Sequence, residues 1–308
     1  MGVDVSKDML DVFVLETRAF RRFANDAGGV ARLTAWLKRL SRTPNIVLEA
    51  TGTMGWRAIV ALAGAGFAPR VVNPARVKAF RAAEGKHAKT DRLDAELIAR
   101  FASVMSEKAR PAPSPEQLKI KSLSARRRQL AEMLAEEKKR LQQAFDDMAQ
   151  DSIRATIVML KAEKKRLESA LLAAIEADTQ AGELYHILIS IHGVGPVIAA
   201  VLIAELPELG GLNRHEIASL AGVAPQANQS GRSEGRARIK GGRPHVRTAL
   251  YLAAFNARRV NGPFKDFYER QRAAGKPYNV ALIAVARKLV VLANSLAKQG
   301  QPWRPPAA

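Results

Sequence analysis

Gly2-Val3-Asp4-Val5-Ser6-Lys7-Asp8-Met9-Leu10-Asp11-Val12-Phe13-Val14-Leu15 is the stretch that decides the fold. Gly2 to Val5 and Leu10 to Leu15 are short β-rich runs, and the polar Ser6-Lys7-Asp8 between them suits a hairpin turn. Working outward, Val30 to Leu40 reads as a helix and Asn45 to Leu48 as a strand. Trp56 to Ala65 reads as a helix ended by Gly66, and Pro69 to Val72 as a strand stopped by Asn73-Pro74. Thr90 to Met105 predicts an amphipathic helix with Leu93, Leu97, Ile98 and Phe101 on one face. Strands alternating with helices predict an α/β domain over residues 1–110.

The character changes at Pro111, Pro113 and Pro115, and no glycine or proline occurs from Glu116 to Ala177. Leu123, Leu130, Leu134, Leu141 and Met148 form one stripe near heptad spacing, and Ile153, Ile157, Leu160, Leu167 and Leu171 form a second. A break near Asp146-Asp147 to Asp151-Ser152, with Ser152 as a candidate cap, predicts a long antiparallel coiled coil over residues 111–180. Arg127 and Glu137 fall on the first seam and make it imperfect. Residues 181–300 read as a mostly helical, all-α unit, with a glycine- and arginine-rich centre from Asn228 to Gly242 that cannot be a packed helix. The Pro-rich tail 301–308 is expected to fray.

Composition narrows the function. Of 308 residues, 47% are hydrophobic and 25% charged, which suits a folded protein rather than a disordered one. Lysine and arginine number 49 against 29 acids, a net charge of +20 that points to a polyanionic partner, nucleic acid before lipid. The absence of cysteine removes a disulfide scaffold, a cysteine-ligated zinc module and a thiol nucleophile. The five histidines show no metal-ligand spacing. Asp4, Lys7, Asp8 and Asp11 interrupt any signal-peptide pattern, and the apolar run Val280 to Ala297 carries Arg287 and Lys288 in its middle. A soluble, cytoplasmic chain with a C-terminal core helix is expected.

Three constellations carry chemistry. Asp4 interrupts an apolar strand, Glu49 follows Ile46-Val47-Leu48 at a strand end, and Asp91 and Asp94 share one helix face at i and i+3. Carboxylates at sheet positions are costly unless paired, and a divalent cation is one such partner. Two hard cations held by such acids activate and release phosphodiester oxygens. Each acid alone also fits a plain structural role, Asp91 as a helix-start acid that complements the dipole. The second constellation, His192-Gly193-Val194-Gly195-Pro196, reads as a helix-hairpin-helix turn whose backbone N–H groups meet phosphate through Gly193 and Gly195, or as an ordinary helical corner. The third is Asn228-Gln229-Ser230-Gly231-Arg232, followed by Arg236, Arg238, Lys240, Arg243 and Arg247. Those cations suit phosphate, and Ser230 reads either as a nucleophile or as a hydrogen-bond donor to DNA, with His245 the nearest candidate base.

Val3-Asp4-Val5-Ser6-Lys7, Leu48-Glu49-Ala50-Thr51-Gly52, Asn73-Pro74 and Lys89-Thr90-Asp91-Arg92-Leu93-Asp94-Ala95 resemble the N-terminal domain of the DEDD insertion-sequence transposases. These are the IS110 group, akin to the pilin-gene inverting recombinases. His192-Gly193-Val194-Gly195-Pro196, Leu220 to Pro225, Gln229-Ser230-Gly231 and Gly241-Gly242 to Leu250 resemble its C-terminal transposase domain. The resemblance implies an RNase H-like (RuvC-type) domain joined through a coiled coil to a helical transposase domain with a helix-hairpin-helix. It implies that Asp4, Glu49, Asp91 and Asp94 bind Mg2+ and that Ser230 attacks DNA to form a 5′-phosphoserine ester. It further implies a bridge (guide) RNA that pairs with target and donor DNA, and a tetramer whose active sites combine the acids of one protomer with the serine of another. Two other readings stand beside this one: a metal-dependent RuvC-like nuclease or resolvase in which Ser230 only touches phosphate, and a non-catalytic nucleic-acid-binding protein.

Overall fold

The computed structural model describes every residue except 41, 50–51, 86–89, 106–109, 231–232 and 305–308, and describes the backbone but not the side chains of 110–111, 227–230 and 233–237. The chain divides into two compact units, Met1–Leu118 and Lys119–Ala308.

In the first unit the order is β1 (Gly2–Val5), β2 (Met9–Val14), β3 (Ala19–Ala24), α1 (Ala27–Leu37), β4 (Val47–Glu49), α2 (Trp56–Gly64), β5 (Arg70–Val72), α3 (Pro74–Ala83), α4 (Asp91–Val104) and β6 (Arg110–Pro111). The strands form one mixed sheet in the order β3-β2-β1-β4-β5-β6. β1, β2 and β3 meander antiparallel, β4 and β5 run parallel to β1, and β6 returns antiparallel. The α/β expectation for this region therefore holds.

Strand periodicity assigns the two faces of β1. Val3 and Val5 are buried in a core with Leu10, Val12, Leu33, Leu48 and Leu62, where α1 and α2 pack. Gly2 and Asp4 point the other way, toward α4. A side chain at Gly2 has no room, since a Cβ there would lie 2.3 Å from the Ala95 carbonyl oxygen and from the Ala99 nitrogen. Glycine thus lets α4 settle directly on β1, next to Phe13, Ala95 and Ala99, and this contact brings the start of α4 to the Asp4 end of the strand.

Three elements of this unit are absent from the sequence expectation: β3, α3 and the short strand β6 at the Pro111 break. Ala19–Ala24 is a third strand although Arg21 and Arg22 break its apolar pattern; pairing along β2, from Met9↔Ala24 to Val14↔Ala19, overrides composition. Asn73-Pro74 starts a helix as well as stopping β5: the Asn73 side chain accepts from the Ala75 N–H at 2.8 Å and Pro74 takes the first helical position.

α5 (Pro115–Gln143) and α6 (Asp147–Ala177) are two long helices joined by a short turn. Leu130, Leu134, Ile157, Leu160 and Leu167 are buried together, with Leu123, Leu141 and Ile153 against them. Arg127 on one helix bonds Glu168 on the other at 2.9 Å, so the polar seam position is filled by an ion pair between the helices. The cap of α6 is Asp146, which accepts from Ala149 N–H, and not Ser152. Met148 lies outside the stripe and is 82% exposed.

The helical unit continues with α7 (Thr179–Ile189), α8 (Pro196–Glu205), α9 (Arg214–Leu220), the hairpin β7 (Pro225–Ser230) and β8 (Ser233–Ile239), then α10 (Pro244–Ala257), α11 (Pro263–Ala273) and α12 (Tyr278–Gln299). Among the described residues α12 is the one helix long and apolar enough to cross a membrane; half of that window is buried in this unit's core, around Leu282, Val285, Leu289 and Val290. The tail is not frayed at 301–304. Trp303 packs edge-on against His192 at 4.6 Å between ring centroids, and its backbone N–H donates to Ser190 Oγ at 2.7 Å. The aromatic side chain explains the difference, since it buries apolar surface that Pro-rich composition alone does not reveal.

Candidate functional site

The acid site is built from strand register. Asp4 on β1 stands opposite Asp11 on β2, and Asp11 stands opposite Arg22 on β3. In-register partners share a sheet face, so all three side chains lie on the face that α4 covers. Thr90 caps α4 by accepting from Leu93 N–H, which fixes Asp91 and Asp94 in the first turn, one above the other. Glu49 ends β4 one residue after Leu48, which pairs with Val3 of β1.

Two arginines organise this charge. Arg22 donates from Nε to Asp11 at 2.7 Å and from Nη2 to Asp91 at 2.7 Å, tying the sheet to the start of α4. Arg81 of α3 pairs with Asp94. Asp4 is half-buried, and burial pushes its carboxyl above the ordinary carboxylate value; the negative charge of Asp94 is the next cause. Asp11 and Asp91 push the same way, against a hydrogen bond from the Val5 backbone.

The structure therefore brings Asp4, Asp91 and Asp94 into one electrostatic neighbourhood and adds Asp11, Arg22 and Arg81, which sequence reasoning missed. Asp11 is 2% exposed, the signature of a functional or paired acid. Carboxylate oxygens crowded around a half-buried aspartate are a donor set that suits a hard divalent cation. Among the described residues no three such side chains converge as a metal-ligand group, and the two arginines hold Asp11, Asp91 and Asp94.

The serine site is a hairpin. Ser230 ends β7 opposite Ser233 of β8, and the pairing runs back to Pro225↔Ile239 with an irregularity between Gln226 and Asn228. Gly231 and Arg232 lie outside the described residues, as do the side chains of Ser230 and Arg236. Arg238 and Lys240 near the foot are exposed, as is His245 in the first turn of α10. The hairpin is seated by a close approach of two glycines with positive φ. A Cβ on Gly242 would lie 2.3 Å from the Gly222 Cα, so only glycine fits at either place. Arg247 closes the same turn by donating to the Gly241 carbonyl at 2.9 Å.

Arg243 is accounted for structurally. Its guanidinium grips both Glu208 oxygens at 2.5 and 2.6 Å and donates to the Glu205 carbonyl at 2.7 Å. Burial lowers its pKa from the ordinary value, against the nearby charge of Glu205. Gly193, with φ +90°, sits where a Cβ would meet the Ala253 carbonyl at 2.4 Å, so its glycine serves packing of the α7–α8 turn on α10. Gly195 at the start of α8 opens onto free space.

Residues 1–150 match the DEDD transposase model of the IS110 type, and residues 185–269 match the transposase IS116/IS110/IS902 family. The pilin gene-inverting protein of Moraxella bovis is 25% identical over 98% of this chain and 97% of its own length. An IS110 insertion-element protein of Streptomyces coelicolor is 29% identical over 50% of this chain and 38% of its own. An IS116 insertion-element protein of Streptomyces clavuligerus is 34% identical over 34% of this chain and 27% of its own.

Proposed function

This chain belongs to the IS110 family of transposases and is a DNA-recombining enzyme, and we propose that it exchanges DNA strands through a covalent serine–phosphate ester. The first unit reads as an RNase H-like, RuvC-type domain; the strand order β3-β2-β1-β4-β5, with β1 central, supports this. The α5–α6 pair reads as a coiled-coil arm that joins protomers into a tetramer. A structured guide RNA is the proposed second polyanion beside target and donor DNA; the net charge of +20 supports a polyanionic partner.

The observation that supports the acid site is the register that puts Asp4, Asp11 and Arg22 on one sheet face, with Arg22 reaching Asp91 at the start of α4; the serine route is supported by the match of residues 185–269 to the transposase family. Asp4, Glu49, Asp91 and Asp94, with Asp11 beside them, are the residues that would hold Mg2+. A bound divalent cation supplies charge neutralisation and polarises a phosphodiester oxygen. Arg22 and Arg81 keep the acids oriented.

At the serine, the Ser230 oxygen bonds to phosphorus while the P–O3′ bond breaks. The serine proton ends on the departing 3′ oxygen, which leaves a 5′-phosphoserine and a free 3′-hydroxyl. A 3′-hydroxyl from the incoming strand then attacks the same phosphorus, the P–Oγ bond breaks, and serine recovers its proton. The ester conserves the bond energy, so no nucleotide hydrolysis is required. Arg238, Lys240 and Arg247 supply cationic groups near the hairpin foot for the flanking phosphates.

Incubating the protein with guide RNA, DNA and Mg2+ and resolving the products under denaturing conditions tests this. A protein–DNA adduct that survives denaturant supports the serine route. Free cleaved ends without adduct would instead support a metal-dependent nuclease.

A further inference from the structure

The helical unit carries a concave surface that shares only the foot of the β7–β8 hairpin with the proposed serine site. A groove of about 1260 Å³ lies between the foot of the β7–β8 hairpin and helices α11 and α12. Phe267, Ile283, Val291 and Trp303 line its floor, all half-buried. Arg238, Lys276, Arg287 and Lys288 also line it, and among the described residues no aspartate or glutamate does. Among the described residues none of these four cations pairs with a carboxylate. Lys288 instead lies over the Phe267 ring, with Nζ 4.2 Å from the centroid.

This combination selects an occupant by chemistry. An apolar helix or an acyl chain would fill the floor but leave four cations without counter-charge. Duplex DNA offers phosphates, but its bases are stacked inside and present no flat apolar face. A single strand offers both: unstacked bases for the aromatic floor and phosphates for the cations. We propose that the groove grips a single-stranded nucleic-acid segment, with bases against Phe267 and the open face of α12 and phosphates on Arg287 and Lys288. The groove reaches Pro225, Arg238 and Ile239, where Pro225 pairs with Ile239 at the foot of the hairpin that ends in Ser230. A strand held there runs up to the hairpin that the proposed strand exchange needs. The inference rests on the reading of the chain as a nucleic-acid-acting enzyme.

Fluorescence anisotropy with a labelled oligothymidine of about 20 nucleotides, set against a blunt duplex of equal length, tests it. Phe267→Ala should weaken single-strand binding by about tenfold, the cost of one lost base stack, with duplex affinity changed less than about twofold. Phe267→Tyr should restore binding, which separates stacking from a folding defect. Arg287→Ala with Lys288→Ala should flatten the salt slope by about 0.7 for each phosphate contact removed. Photocrosslinking with 5-iodouracil in the single strand should mark peptides of α11 and α12. Equal losses on both probes, or crosslinks confined to other elements, would overturn the groove assignment. So would variants that keep single-strand affinity but fall to a smaller oligomer on sizing, since the groove would then be a protein interface. Wild-type protein that binds neither probe would sink the nucleic-acid reading as a whole.

Discussion

Asp4 and Asp11 stand directly opposite one another on β1 and β2, two carboxylates on one sheet face, with Arg22 in register on the far side of Asp11. Arg22 bonds Asp11 and Asp91, and Arg81 bonds Asp94. Asp4 is left with the raised carboxyl. That inequality has consequences for stability.

A carboxyl whose native-state value lies above its unfolded value binds its proton more tightly when folded. From the ordinary 3.8 up to the raised native value, the folded state therefore holds more protons, and stability falls as pH rises through that window. Asp4→Asn should remove this slope. The variant should melt higher than wild type at neutral pH and lose its advantage in acid, where the wild-type Asp4 carboxyl is protonated in both the folded and the unfolded state. Thermal melts at several pH values check this; a variant that melts lower than wild type at neutral pH would contradict it.

Asp94 carries the opposite expectation, because Arg81 depends on it. Asp94→Ala leaves a partly buried guanidinium without its partner and should cost about 1.5 to 3 kcal/mol in urea denaturation. Asp94→Asn keeps an acceptor oxygen and should cost less. Both should abolish Mg2+-dependent strand exchange, which separates the structural from the chemical role of the same side chain.

Much of the first unit was legible in the sequence, and what escaped it has a common cause. The β1–β2 hairpin, the strand ending in Glu49 and the helix bearing Asp91 and Asp94 announce themselves through local periodicity and capping. Asp11 was visible as an acid in an apolar run, and writing out the hairpin register places it opposite Asp4. Arg22 was not legible, since it lies on a strand that exists because β2 pairs with it rather than because of its own composition. Arg81 escaped, and the ion pair of Arg243 stayed hidden behind its reading as a phosphate contact, for the same reason: their partners Asp94 and Glu208 are brought near by packing between elements. Arginines near a serine loop look alike in sequence, yet Arg243 is locked to Glu208 while Arg238 is exposed.

That contrast is measurable. Arg243→Ala should destabilise the protein by about 2 to 4 kcal/mol, because it removes a two-pronged ion pair from a carboxylate that is only partly solvated. Arg238→Ala should leave stability within about 0.5 kcal/mol while weakening nucleic-acid binding. Denaturation curves and binding isotherms on both variants distinguish the two roles; a stable Arg243→Ala with weakened binding would reverse the assignment.

The seat of the serine hairpin admits a sharper comparison between neighbours. Gly241 and Gly242 both have positive φ, but a Cβ on Gly241 meets open space while one on Gly242 meets the Gly222 backbone. Gly241→Ala should cost about 1 to 2 kcal/mol, the left-handed backbone penalty alone. Gly242→Ala should cost clearly more and should also impair strand exchange, since it displaces the hairpin foot. Equal costs at the two positions would show that the glycine contact does not seat the hairpin.

The most direct measurement concerns Ser230 itself. The protein is trapped on a nicked DNA substrate, digested with protease and nuclease, and its peptides are sequenced by mass spectrometry. The account predicts a peptide in which Ser230 carries a 5′-nucleotide phosphate. It predicts no such adduct in Ser230→Ala, and an adduct and strand exchange retained in Ser233→Ala, its register partner across the hairpin. Strand exchange at wild-type level by Ser230→Ala, with no serine adduct anywhere, would contradict the covalent mechanism and leave the acidic site as the sole catalyst.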